Sequence, residues 1–188
     1  MTQLEPGPPK SARGNPSLGD ILRSVAVMAA IVLVAALVGL FFTRTPDAQS
    51  RAVDYKTPLA QAATISTFDL LAPGQLPDGW IATSVSFDPG PKGRWHIGTL
   101  TDDGDYVGLE QSPRDESSLL DEFSPKTSAK GDVEVAGQTW QLRTSGGGET
   151  SLVRRDNGVT VLVTGTAPRQ DIDRFAESLI VRTAGAKG

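Results

Sequence analysis

The chain has 188 residues, with 22 acidic against 18 basic side chains, no cysteine and a single histidine. A net charge of −4 with no basic stripe argues against nucleic-acid binding. The missing cysteines exclude disulfides, thiolate metal sites and thiol nucleophiles together.

Residues 1–23 are poor in bulky apolar side chains and contain Pro6, Pro8, Pro9 and Pro16. Such a segment buries too little surface to offset its ordering entropy, so a disordered cytoplasmic tail is expected. Val25–Phe42, "VAVMAAIVLVAALVGLFF", carries no charge. As a helix it is about 27 Å long, near the roughly 30 Å of a bilayer's hydrocarbon core. Eleven of its residues are Val, Ile, Leu or Phe, which favours insertion by roughly 3–6 kcal/mol. A cleaved signal peptide needs a shorter apolar region and a small-x-small site after it. Here "FFTRTPDAQS" follows, with Arg44 and Pro46. A retained transmembrane helix over 24–42 is therefore expected, with a cleaved signal and a buried soluble helix as the alternatives. Lys10, Arg13 and Arg23 on one side balance Arg44, Arg51 and Lys56 on the other, so charge bias does not set the orientation. A short tail before a large C-terminal domain is the form of a signal anchor, which places the N-terminus inside and the domain outside. Ala26/Ala30 and Ala35/Gly39 have the small-xxx-small spacing of a helix-pairing face, a pattern that also arises by chance in an Ala-rich span.

Residues 43–67 are polar, with Pro46 and Pro58, and read as a juxtamembrane linker. The folded domain is expected over 68–183. "FDLLAPGQLPDGW" is turn-rich. Ile81, Thr83, Val85 and Phe87 then alternate with Ala82, Ser84 and Ser86, the period of a strand. "RWHIGTL" and "YVGLEQ" flank "TDDGD", a hairpin composition. "RDESSLLDEF" suits a short helix with an acidic start. Two further hairpins turn at Ala136-Gly137 and at Asn157-Gly158, and Val159–Gly165, apolar on both faces, is expected to lie centrally in its sheet. Pro168–Ile180 is expected to be helical, with Thr166 as its cap and Ile172, Phe175, Ala176 and Leu179 as its buried stripe. The order predicts an α+β fold: an antiparallel sheet of six to seven strands packed against a C-terminal helix.

Taken together, "LPDGW" at 76–80, "GTLTDDGDYVGLEQS" at 98–112, "GQTWQL" at 137–142 and "VTVLVTGTA" at 159–167 resemble the actinobacterial family called domain of unknown function 4245. The resemblance covers most of residues 20–183. It implies a single-pass membrane protein and carries over no functional residues.

Candidate chemistry is sparse. Asp102, Asp103, Asp105 and Glu110 lack the spacing of a calcium loop and read as a solvated hairpin turn. A Ser-His-acid triad has only His96 to use, and no G-x-S-x-G elbow supplies the serine, so His96 reads as a sheet-surface residue opposite Trp95 and Ile97. "SGGGETS" at 145–151 lacks the lysine and helix of a phosphate loop and reads as a hairpin loop. Trp80, Trp95 and Trp140 read as core rather than as a ligand pocket. Arg143, Arg154 and Arg155 either gather to hold an anion or pair with acids in solvent. No catalytic, cofactor or metal residues are assigned. The favoured expectation is a non-catalytic binding or scaffolding domain engaging another envelope protein or a cell-wall component. The alternatives are a glycan hydrolase using carboxylates among Asp102, Asp105, Glu110 and Glu149, and a lipid-binding domain with a cavity between sheet and helix.

Overall fold

The computed structural model describes residues 51–185. Among them, no helix is long and apolar enough to cross a membrane. The expectations for the tail at 1–23, the apolar run at 24–42 and the small-residue spacings within it fall outside the described residues.

The fold is α+β, as expected. Among the described residues, nine strands form two antiparallel sheets, with three helices. Strands β2 (Ile81–Asp88), β3 (Arg94–Leu100), β4 (Tyr106–Ser112), β5 (Ser128–Val135), β6 (Gln138–Thr144), β7 (Thr150–Asp156) and β8 (Val159–Gly165) make the main sheet in the order β2-β3-β4-β8-β7-β6-β5. β8 is the middle strand, in keeping with its apolar faces. The turns at Ala136-Gly137 and Asn157-Gly158 have positive φ throughout (51° and 71°; 48° and 82°), the conformation of a tight two-residue hairpin.

Two elements arise where the sequence reads as linker and turn. Helix α1 (Lys56–Ile65) replaces the outer part of the expected linker. Asp54 accepts hydrogen bonds from the N–H groups of Lys56 (2.8 Å) and Thr57 (3.4 Å) at its start, and Pro58 sits in its first turn, where no donor is lost. Leu59, Ala62 and Ala63 form its buried stripe. Just before it, buried Tyr55 donates its hydroxyl to the Pro73 carbonyl at 3.0 Å. The second is strand β1 (Leu70–Pro73), which pairs with β9 (Leu179–Arg182) in a two-stranded ribbon. Gln111 holds this ribbon to the main sheet, accepting from Leu71 N–H (2.9 Å) and donating to the Asp69 carbonyl (2.7 Å). The Trp95 indole N–H adds a bond to the Leu71 carbonyl at 2.8 Å.

The C-terminal helix is shorter than predicted. α3 (Arg169–Glu177) ends before Leu179, which opens β9, because pairing with β1 claims the backbone there. Thr166 does not cap it; its hydroxyl accepts from the Tyr106 N–H instead, at 3.2 Å. Ile172, Phe175 and Ala176 bury the stripe.

The main sheet has two unlike faces. Its inner face (Trp95, Ile97, Val107, Leu109, Leu152, Val161, Val163 and Trp140) joins α1, α3 and the ribbon in one core. Trp80 stacks on Phe175 with ring centroids 6.4 Å apart. The outer face is covered over β7 and β8 by helix α2 (Glu116–Phe123), whose Leu119 and Leu120 pack on Val153 and Leu162. The sheet's far margin, β5, is almost wholly exposed, with Lys130, Asp132 and Glu134 in water and a register slip between Ala129 and Gly131.

Candidate functional site

On the outer face, β2, β3 and β4 lie side by side, and α2 reaches them only at the margin, where the Arg94 guanidinium stands 5.1 Å over the Phe123 ring. Alternation puts Ser84 and Ser86 of β2, Arg94, His96 and Gly98 of β3, and Tyr106, Gly108 and Glu110 of β4 on this side. Register does the rest: His96 lies directly opposite Glu110, and Ser84 opposite Gly98.

The Glu110 carboxylate is buried. It meets His96 Nδ1 at 2.6 Å and Arg94 Nη1 at 3.4 Å. His96 Nε2 lies 2.8 Å from Ser84 Oγ. A carboxylate only accepts, so the imidazole donates from Nδ1, and in the neutral ring Nε2 then accepts the Ser84 hydroxyl proton. Glycine at 98 clears the space: a Cβ there strikes Ser84 Oγ and sits 3.2 Å from the Tyr106 hydroxyl oxygen. The same ring covers Gly108, where a Cβ meets Tyr106 carbons at 3.0 Å. Burial, with the Glu110 charge second and against the opposing effect of Arg94, pushes the Tyr106 phenol above its ordinary pKa. It is therefore a neutral donor at physiological pH, and its hydroxyl bonds no other group among the described residues.

A second feature lies on the inner side, at the end of the β7–β8 hairpin. A cleft of about 400 Å³ is lined by Phe68, Leu71, Gln111, Arg154, Asp156 and Val181, among others. Arg154 stands 4.9 Å over the Trp140 ring and pairs with Asp156 at 3.2 Å. Its Nε is buried without a hydrogen-bond partner. Val181 is 61% exposed and Ile180, beside it on β9, 55%.

The expected sites fare differently. His96 is on the sheet surface opposite Trp95 and Ile97, as alternation predicts. Trp80, Trp95 and Trp140 are all core, and residues 145–149 close the β6–β7 hairpin through Ser145 N–H to the Glu149 carbonyl at 2.9 Å. The carboxylates do not converge. Asp102 and Asp103 are exposed in the β3–β4 turn, Glu110 is committed to His96 and Arg94, and Glu149 accepts from Thr164 at 3.1 Å. No pair of them lines a described cleft, which removes the basis of a two-carboxylate glycan hydrolase. Large side chains occupy the space between sheet and helices. The arginines separate as well: Arg154 faces inward, while outward-facing Arg143 bonds the Thr127 carbonyl (2.9 Å) and Arg155 the Arg114 carbonyl (2.9 Å). Among the described residues no group of three or more His, Asp or Glu side chains converges on a metal position.

Sequence reasoning missed the partners of His96. Ser84 is 12 residues before it and Glu110 14 after; only the registers of two strand pairs join them. No curated protein matches the sequence. A family model described as protein of unknown function (DUF4245) matches residues 13–179. That span takes in the whole β2–β8 sheet, the His96 cluster and the residues carrying the motifs at 76–80, 98–112, 137–142 and 159–167, and the chain belongs to the DUF4245 family.

Proposed function

We propose that the chain is a single-pass plasma-membrane protein, N-terminus in the cytoplasm, that displays its folded domain on the outer side as a binding or scaffolding module for another envelope protein or a cell-wall component. The anchor is supported by the extent of the family match. One family pattern begins before Val25–Phe42 and runs on through the domain, which favours an apolar run retained with the domain.

The observation that carries the binding role is the inner-side cleft. Phe68 and exposed Val181 offer apolar contact at its rim, and Arg154 brings a guanidinium with an unsatisfied N–H. Buried donors in folded proteins almost always have partners. An apolar anchor beside an acidic group is the chemistry that satisfies both features, and Arg is well suited to forked recognition of a carboxylate.

A photo-crosslinking side chain at Val181, activated in intact envelopes, tests the reading. The expected result is a discrete adduct in the membrane fraction, weakened by Arg154→Ala and absent when the crosslinker stands at Glu134 on the exposed β5 margin. Recovery of the full-length, unprocessed chain in the aqueous fraction without detergent overturns the anchor. Equal adducts from Val181 and Glu134 overturn the cleft.

A further inference from the structure

The outer face of β2–β4 goes beyond a binding role. We infer that Ser84 is an activated nucleophile, with His96 as its general base and Glu110 as the residue that positions and charges that base, and that this face accepts acyl esters. Three independent observations carry the inference.

The first is connectivity. The carboxylate takes Nδ1, the serine takes Nε2, and both distances, 2.6 and 2.8 Å, lie in the range for proton transfer. This is the acid–imidazole–hydroxyl order that nucleophilic serine requires, and such constellations are recognised by geometry rather than by sequence position. The second is placement. β2 is a margin of the main sheet, and its pairing with β3 slips between Ala82 and Ser84, leaving Thr83 unpaired. Bulges re-aim the side chain beside them, and partly buried Ser84 is the residue that follows. The third is clearance with a donor. Gly98 and Gly108 add no side chain beside Ser84 and leave room for the Tyr106 ring; a Cβ at Gly98 strikes Ser84 Oγ and lies 3.2 Å from the Tyr106 hydroxyl oxygen, so both groups border the same glycine. A neutral phenol there is placed to donate to the oxygen of a tetrahedral adduct.

Ser84 Oγ bonds to the acyl carbon while its proton passes to His96 Nε2, and the carbonyl oxygen takes the negative charge and the Tyr106 hydrogen bond. The adduct collapses, the C–O bond to the leaving alcohol breaks, and His96 returns the proton to that alcohol. Solvent water then attacks the acyl-serine by the same route, releasing the acid and free Ser84. The face is open rather than pocketed, so small or extended esters fit it better than substrates needing a deep acyl tunnel.

The test uses full-length protein in detergent micelles and a fluorophosphonate probe, in which Ser84 Oγ bonds to phosphorus, fluoride leaves and His96 takes the proton. Peptide mass spectrometry is expected to place the adduct on Ser84. Ser84→Ala abolishes it, while Ser86→Ala, which removes the exposed serine two residues on, retains it. His96→Asn lowers the labelling rate about 100-fold or more, the worth of a general base. Glu110→Gln lowers it and Glu110→Asp restores it in part. Thermal midpoints confirm folding, and Ser84→Ala decides alone if His96→Asn does not fold. The label is read on Ser84 of the otherwise unaltered chain and makes no use of the inner-side cleft, so failure of the cleft reading does not touch this one. An unlabelled wild type, a label on another residue, a label that survives Ser84→Ala, or a folded His96→Asn that labels at the wild-type rate overturns the proposal.

Discussion

Asp115 shows how much one side chain organises locally. It precedes α2 in extended conformation and accepts hydrogen bonds from Ser118 N–H (3.1 Å) and from the hydroxyls of Ser117 and Ser118 (2.5 and 2.9 Å). These bonds favour the charged form, the Ser117 hydroxyl most, and hold the carboxyl well below its usual range. A depressed folded-state pKa means the cap contributes fully above the ordinary carboxylate value of about 3.9 and is lost as pH falls toward the lower folded value. Asp115→Ala is therefore expected to lower the thermal midpoint at pH 7 and to draw closer to wild type as both are titrated down from pH 4; a gap as wide at pH 2 as at pH 7 contradicts this. At this scale the sequence was readable one strand at a time. Alternation placed His96 on the correct face, and the acidic start of α2 was visible. What joins His96 to Ser84 and Glu110 was not, because a register between strands is set by the whole sheet rather than by the residues it brings together.

Among the elements, α3 seals the inner face through one residue above all. Phe175 is fully buried and stacks on Trp80. Phe175→Ala removes the transfer energy and leaves a cavity, at a cost of about 3–5 kcal/mol. Denaturant unfolding followed by tryptophan fluorescence is expected to show the midpoint falling with an unchanged slope. α3 was legible because its stripe uses large apolar residues at helical spacing. Its end was misread because Leu179 keeps that spacing, and nothing local signals that β1, more than 100 residues earlier, recruits residues 179–182. α1 was invisible for the opposite reason: Leu59, Ala62 and Ala63 are mostly small, and small side chains near two prolines have the composition of a linker.

For the whole molecule, the start of the folded unit moves from residue 68 to about residue 53. The Val53 N–H bonds the Ala82 carbonyl at 2.8 Å along the β2 margin, Tyr55 and Leu59 enter the core, and Gly185 N–H closes on the Ala63 carbonyl at 2.7 Å. A fragment of residues 49–188 is accordingly expected to unfold in one cooperative transition, while 68–188 loses several buried side chains and falls by at least ~3 kcal/mol in denaturant titration. Equal midpoints for the two fragments refute that boundary. The antiparallel order followed from three tight hairpins, each marked by its turn residues; the seating of the ribbon did not, since it depends on Gln111 and Trp95 reaching backbone from another layer. The β5 margin has its own consequence. Charged, exposed and broken in register, it is poor at recruiting a stranger's backbone, so crowded copies of the domain are not expected to zipper together along this margin.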